Sequence, residues 1–183
     1  MNDDAHGKPL GLRDGTLRLM PYRPEWPELY KQEAARIERF VPSDLDIQIH
    51  HIGSTSVEGL AAKPILDIAL VAKTEDEPRV ADALEALGYA DRGERSGRHF
   101  IREDGMGVRT HNLHLYAPND DRMIKQIAFR DALRGNPQAR DEYMSIKTSL
   151  LGGARQDYAP GKTEFITALL VSVRSDCPAA LGE

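Results

Sequence analysis

The stretch HHIGSTSVEGLAAKPILDIALV, residues 50–71, decides the fold because two apolar runs flank a polar segment that contains glycine. The run that enters it, DIQIHHIG, alternates and ends at a glycine, which predicts a strand. The run that leaves it, PILDIALVA, is densely apolar, as expected for a strand buried on both faces. The segment between them is therefore predicted to connect two adjacent strands at one open end of a sheet.

The polar segment contains residue types that suit phosphate. Gly53 allows close approach of the backbone and exposes N–H groups, and Lys63 adds a point charge. The neighbouring hydroxyl groups add further donors, on Ser54, Thr55 and Ser56. On the next strand, Asp67 is placed to hold a divalent cation that bridges phosphate oxygens. The structural alternative is a polar turn with a helix cap, in which Asp67 satisfies a hydrogen bond.

Outward from this stretch, periodicity predicts strands mixed with helices and then a helical C-terminal part. The predicted outer strands are TLRLM, HFIRED and VRTHNLHLYA, the last two joined by GMG. Helices are predicted within residues 22–41, 76–89, 120–137, 138–153 and 162–175. This order predicts an α+β fold with a single domain at residues 17–175. A flexible leader at 1–16 and a tail at 176–183 complete the expected organisation.

Composition narrows the classes of function. The formal net charge of −5 argues against broad electrostatic binding of nucleic acid. The single cysteine, Cys177, excludes an internal disulfide and a thiolate cluster, and it favours a reducing, cytoplasmic location. No apolar run reaches the length of a membrane span. A small-molecule or nucleotide ligand is therefore expected, with no membrane partner, and the sequence leaves the oligomeric state open.

Five separated motifs resemble the GrpB family. They are HIGSTSVEGLAAKPILDI, HNLHLY, FRDALR, YMSIKTSL and YAPGKTEFI, and together the resemblance runs from about Leu19 to Val173. The first motif departs from the family pattern at Glu58, where proline is usual. The resemblance implies a nucleotidyltransferase-like mixed β-sheet of the polymerase-β type, flanked by helices. It also implies that the Gly-Ser corner holds the phosphates of ATP or another NTP, and that carboxylates bind magnesium.

The chain departs from the active superfamily pattern at the metal. The second carboxylate of that pattern belongs two residues after Asp67, where this chain has Ala69. The neighbouring strand offers THNLHLY, in which alternation places His114 on one face with Asn112 and Tyr116. Asp67 and His114 are therefore the predicted catalytic pair. They are also predicted metal ligands with Glu58, for a divalent ion that is Mg²⁺ or Mn²⁺ rather than Zn²⁺.

Later basic residues complete the expected anion site. Arg109 and Arg130 are candidates for forked hydrogen bonds to phosphate. Lys147 and Lys162 lie at positions that match the family, and the resemblance implies that basic residues of the C-terminal helices contact the triphosphate. For each of these residues, the structural alternative is an ordinary ion pair or a solvated side chain.

Three functions follow from these residues. The first is a metal-dependent nucleotidyltransferase that binds a nucleotide or another phosphate-bearing molecule and transfers a nucleotidyl group to a small acceptor. The second is a non-catalytic nucleotide or metabolite binder that has lost the second metal carboxylate. The third is a metal-dependent enzyme of another reaction type that uses Asp67 and His114.

Overall fold

The computed structural model of the protein describes residues 8–153 and 155–176. These residues form a six-stranded mixed sheet and five α-helices. The strands are β1 (Leu12–Arg13), β2 (Ile47–Ile52), β3 (Leu66–Ala72), β4 (Tyr89–Arg95), β5 (Gly97–Glu103) and β6 (Val108–Tyr116). The helices are α1 (Glu25–Phe40), α2 (Glu77–Ala86), α3 (Asp121–Gly135), α4 (Pro137–Ser149) and α5 (Thr163–Asp176). The predicted α+β class is confirmed, and none of the described helices is long and apolar enough to cross a membrane.

The sheet has the strand order β2-β3-β6-β5-β4, and β1 pairs with the start of β6. Strands β3 and β6 are parallel, and the other named pairs are antiparallel. In this register Asp67 lies opposite Ile52 at the end of β2 and opposite Asn112 in β6. The polar connection after β2 therefore lies at one end of the sheet, beside the first residues of β3, as predicted.

Helices cover both faces of the sheet. Helices α1 and α2 pack on one face, through Ile37 and Leu84 against Ile68 and Phe100. Helix α3 packs on the other face, where Met123 contacts the cluster around Ala69. Because alternate residues of a strand point to opposite faces, Asp67 and Ala69 share the face that carries α3. A further apolar cluster joins the polar connection, through Val57 and Leu60, to the C-terminal helices.

The N-terminal segment differs from its prediction. Residues 8–16 belong to the folded domain, because β1 pairs with β6 and the buried indole of Trp26 donates a hydrogen bond to the carbonyl oxygen of Pro9 at 2.8 Å. TLRLM does not form the predicted strand and contributes an isolated bridge between Met20 and Ala62. The first part of the expected leader, 1–7, and most of the expected tail, 177–183, lie outside the described residues.

Strand β4 was not predicted from the sequence. Its residues YADRGER are mostly charged, and all of them except Tyr89 and Asp91 are exposed at the sheet edge. Alternation is visible only when one face of a strand is buried, so this strand has no hydrophobic signature. The helix before it ends close to the predicted stop, with Gly88 at a φ of 85°.

Candidate functional site

The connection after β2 begins with a backbone conformation that glycine adopts without strain. Gly53 has φ 67° and ψ −176°, and the residues Ser54–Ser56 then form one turn of 3₁₀ helix. A Cβ atom on Gly53 would lie 2.4 Å from Oδ2 of Asp67. The hydroxyl of Ser56 donates to the carbonyl oxygen of Gly53 at 2.6 Å and fixes the turn. The corner and the first residues of β3 are therefore in direct contact, as the sequence predicts.

Asp67 is held by its neighbour on β6. Nδ2 of Asn112 donates to Oδ1 of Asp67 at 2.8 Å. Burial raises the pKa of Asp67, while the Asn112 hydrogen bond and the charges of Lys162 and Lys63 act in the opposite direction. The carboxylate is thus desolvated, oriented by an amide and surrounded by cations.

Lys147 reaches the corner from α4. Its side chain is 1% exposed, and Nζ donates to Oγ of Ser54 at 3.1 Å and to the carbonyl oxygen of Ala61. Burial lowers the pKa of Lys147 to about 7. The charges of Lys162 and Lys63 also lower it, and the charge of Asp67 acts in the opposite direction. A buried lysine with this pKa loses part of its charge near neutral pH and regains it when an anion binds close by.

Two more lysines face Tyr158. Nζ of Lys63 lies 4.5 Å and Nζ of Lys162 4.4 Å from the centre of its ring. Burial lowers the pKa of Lys162 to about 8, and the nearby Lys63 adds to the shift. The aromatic face gives both ammonium groups a partial counter-charge, which allows two cations to stay close together.

These groups surround one cavity, called here the basic pocket, of about 160 Å³. Its polar lining consists of Ser54, Thr55, Lys63, Asp67, Asn112, Lys147, Tyr158 and Lys162. Three lysines face one carboxylate, so the pocket is locally positive although the whole chain carries −5. Such a set of donors and cations attracts an anion.

Several predicted residues lie at the corner but bond to the protein. Thr55 is buried and lines the basic pocket, but its hydroxyl lies 3.0 Å from Nε2 of His51, whose side chain is on the opposite face of the sheet from Asp67. Arg130 donates from Nη1 to the carbonyl oxygen of His51 at 3.0 Å and from Nε to Asp131 at 2.7 Å. Its neighbour Arg134 donates from Nη2 to the carbonyl oxygen of Ser56 at 2.8 Å. The two arginines hold α3 against the corner.

Three other predicted residues lie away from the basic pocket. His114 shares the face of Asp67 but is paired in register with Ala69, and its ring stacks on His99 at 4.7 Å. Glu58 is exposed and lines a different cavity with Arg134. Arg109 lies 3.6 Å from Asp14 in an ion pair. The structure therefore brings Asp67 together with the lysines and does not bring it together with these three.

The sequence did not single out Asn112, Tyr158 or Tyr143 as site residues. Asn112 was placed on the correct face by alternation, but the prediction selected His114 from the same strand. Tyr158 begins a motif that resembles the family, which was the available signal for it.

The donor set does not fit a two-metal centre. The basic pocket contains one carboxylate, and within residues 8–153 and 155–176 no three His, Cys, Asp or Glu side chains are grouped to hold a metal ion. Two divalent ions next to three lysines would also repel them. The predicted ligand trio of Asp67, His114 and Glu58 is spread over separate places, and the divalent metal stays a prediction.

Comparison with known proteins identifies relatives over most of the chain. The family model described as GrpB protein matches residues 16–171. A UPF0157 protein of Halalkalibacterium halodurans is 36% identical over 162 residues, which cover 86% of this chain and 82% of the relative. The crystal structure of the conserved protein GrpB from Enterococcus faecalis matches with a TM-score of 0.75 and 28% identity, over 87% of this chain and 98% of that chain.

A more distant structural match is a cytoplasmic RNA terminal U-transferase. Its TM-score is 0.49 at 14% identity, over 72% of this chain and 41% of that chain. Likeness at this level carries no argument about activity. The fold is therefore assigned from the enterococcal structure, and function has to be argued from the pocket.

Proposed function

Because the chain belongs to the GrpB family, we propose that the corner after β2 is a ligand site and that the basic pocket binds a phosphate-bearing small molecule. A nucleotide is the candidate that the family resemblance provides. One observation carries the proposal. Lys63, Lys147 and Lys162 line one cavity with Ser54 and a single carboxylate, and Nζ of Lys147 donates a hydrogen bond to the Ser54 hydroxyl.

The lysines would supply most of the binding free energy. Charge-assisted hydrogen bonds contribute roughly 1.5–3 kcal/mol each, and a phosphate accepts several. The depressed pKa values of Lys147 and Lys162 reflect burial and the charges of neighbouring lysines. An anion between them would relieve both effects, so the ligand would complete a site that is electrostatically unbalanced without it.

Asp67 would set the orientation of the ligand. Its Oδ1 is already bonded to Asn112, and its carbon atoms pack against Gly53. A carboxylate at this place repels phosphate oxygens and accepts hydrogen bonds from hydroxyl or amine groups. We therefore expect the phosphate on the lysine side, and a donor group of the ligand or of an acceptor molecule on the Asp67 side.

Nucleotidyl transfer is the further step of this proposal. It requires activation of an acceptor and stabilisation of a leaving pyrophosphate. Lysine ammonium groups are suited to the second task, and Asp67 is the available carboxylate in the pocket for the first. Pyrophosphate release during a screen of acceptors would separate a transferase from a protein that binds nucleotide without chemistry.

The direct test is calorimetry on purified, folded variants with inorganic pyrophosphate and ATP, each with and without Mg²⁺. We expect Ser54→Ala and Lys63→Ala to weaken binding about tenfold or more, since about 1.4 kcal/mol corresponds to a factor of ten. Any part of the binding that depends on Mg²⁺ should be lost in Asp67→Ala.

Lys31→Gln is the matched control for charge. This lysine is exposed on α1 and pairs with Glu28 at 3.6 Å, so its removal changes the net charge by the same amount without touching the pocket. Affinity should be unchanged in this variant. Equal affinity in the Ser54, Lys63 and Asp67 variants and in the control would show that the corner is structural.

A further inference from the structure

A second cavity lies on the other side of Ser54. It has a volume of about 250 Å³ and is called here the apolar pocket. Its apolar lining comes from the corner and the three C-terminal helices: Val57, Phe129, Leu133, Tyr143, Ile166 and Leu170. Liquid water occupies about 30 Å³ per molecule and a benzene-sized cavity about 150 Å³. The apolar pocket is therefore large enough for an aromatic ring or a short branched chain.

The two pockets are neighbours, because Ser54 lines both of them. Tyr143 lines the apolar pocket, and Nζ of Lys147, which lines the basic pocket, lies 5.2 Å from the centre of the Tyr143 ring. Burial raises the pKa of Tyr143 well above its usual range. The charges of Tyr158 and Asp67 raise this pKa further, and a hydrogen bond with Ser54 lowers it. The phenol of Tyr143 therefore lies beside Ser54, where the two pockets adjoin.

Two of the three long polar side chains in the apolar pocket are committed to the protein. Arg130 bonds to the carbonyl oxygen of His51 and to Asp131. Gln126 donates from Nε2 to the hydroxyl of Tyr116 at 2.7 Å. The third, Lys125, is exposed to solvent. The rest of the lining is mainly apolar surface, and burying such surface against a ligand is favourable.

Resting on the proposed function, we infer that the ligand is amphipathic, with a phosphate in the basic pocket and an aromatic or branched aliphatic body in the apolar pocket. Ser54 then lies beside the bond that joins the two parts. This narrows the ligand class to phosphate esters that carry an aromatic or branched aliphatic group, and the base of a nucleotide is such a group. Sugar phosphates without a group of this kind gain nothing from the second cavity.

The test compares four probes by calorimetry: inorganic phosphate, ribose 5-phosphate, phenyl phosphate and 1-naphthyl phosphate. We expect phenyl phosphate and 1-naphthyl phosphate to bind at least tenfold more tightly than the other two. Ile166→Trp and Leu170→Trp fill the apolar pocket and should remove this gain while inorganic phosphate still binds. Thr167→Trp adds the same bulk at an exposed neighbouring position of α5 and should leave the gain intact.

Methyl-labelled NMR on the unmodified protein gives an independent reading if a tryptophan variant does not fold. Phenyl phosphate should shift the methyl signals of Ile166 and Leu170, and inorganic phosphate should not. Equal affinity for phenyl phosphate and inorganic phosphate, or a gain that persists in both filled variants, overturns the inference while the phosphate site stands. Absence of binding by all four probes also overturns the inference, and if pyrophosphate and ATP fail to bind as well, the proposed function is overturned with it.

Discussion

At the scale of single residues, the corner depends on the absence of a side chain at Gly53. Its φ of 67° and ψ of −176° fall in a region that only glycine occupies without strain. The missing Cβ also leaves the space that Oδ2 of Asp67 fills. One residue therefore sets both the path of the chain after β2 and the position of the carboxylate.

We predict that Gly53→Ala lowers the free energy of unfolding by about 1–3 kcal/mol from backbone strain alone, with a further loss from the contact with Asp67. Phosphate binding should weaken at the same time, because Asp67 must move. Urea denaturation and calorimetry measure the two effects. Gly105→Ala is the control, because nothing lies within 4 Å of its Cβ position. Equal stability of the two variants would contradict the prediction.

At the scale of elements, a buried carboxylate joins α1 to the sheet. Glu33 is 6% exposed and accepts hydrogen bonds from Arg102 of β5 at 2.6 Å, from the Tyr89 hydroxyl at 2.9 Å and from Arg36 at 3.0 Å. Burial alone would raise the pKa of Glu33, but His111, Arg102 and these bonds lower it below its usual value. The helix is thus fixed by a fully paired charge rather than by apolar contacts alone.

Glu33→Ala should destabilise the protein by roughly 1–3 kcal/mol, because it leaves the buried hydroxyl of Tyr89 without its acceptor and removes the carboxylate that pairs with the partly exposed Arg102 and Arg36. Glu28→Ala removes an exposed carboxylate from the same helix, whose 3.6 Å pair with Lys31 is worth about 1 kcal/mol at most. Thermal and urea unfolding of both variants measure the difference. A loss for Glu33→Ala no greater than that for Glu28→Ala would show that the network adds no stability.

At the scale of the whole molecule, buried histidines link stability to pH. Burial lowers the pKa to about 3 for His51 and to about 4 for His99 and His111, against an ordinary value of 6.5. Below pH 6.5 the unfolded chain therefore binds more protons than the folded one. The stability that these neutral rings contribute is present above pH 6.5 and is lost as the pH falls.

The expected result is a fall in unfolding free energy between pH 7.5 and pH 5, above the range in which most carboxylates titrate. Each strongly shifted histidine contributes about 2 kcal/mol over this interval, at about 1.4 kcal/mol per pH unit below 6.5. His51→Gln retains a group that can bond to Thr55. This variant should lose less unfolding free energy between the two pH values, by the contribution of one histidine. Urea denaturation at the two pH values measures it. An unchanged pH dependence in His51→Gln would assign the acid loss to other groups.

The lysines of the basic pocket give a pH dependence of the same sign at neutral and alkaline pH. Their folded pKa values, about 7 for Lys147 and about 8 for Lys162, lie below the ordinary 10.5. Between these values the unfolded chain again holds more protons, so stability increases as the pH rises. The buried lysines thus lower stability at neutral pH, as functional sites commonly do.

The sequence by itself determined the local elements and the faces of the strands. The alternating and apolar runs around residues 50–71 are confirmed as β2 and β3, and the glycine stops correctly divide the C-terminal helices. Alternation also placed Asp67 next to the corner, and Asn112 and His114 on one face of β6. These features depend on residues close in the chain, so their periodicity is visible without a structure.

Tertiary structure alone decided which side chains meet. A period of two fixes the face of a strand but not its offset against a partner, and the offset between β3 and β6 places Asn112, not His114, opposite Asp67. Lys147 lies 93 residues from the Ser54 hydroxyl to which it bonds. The packing of α3 and α5 creates the apolar pocket beside them. The sequence identifies candidate residue types. Which of them come into contact depends on the register of the sheet and on helix packing, and neither of these has a local signal in the sequence.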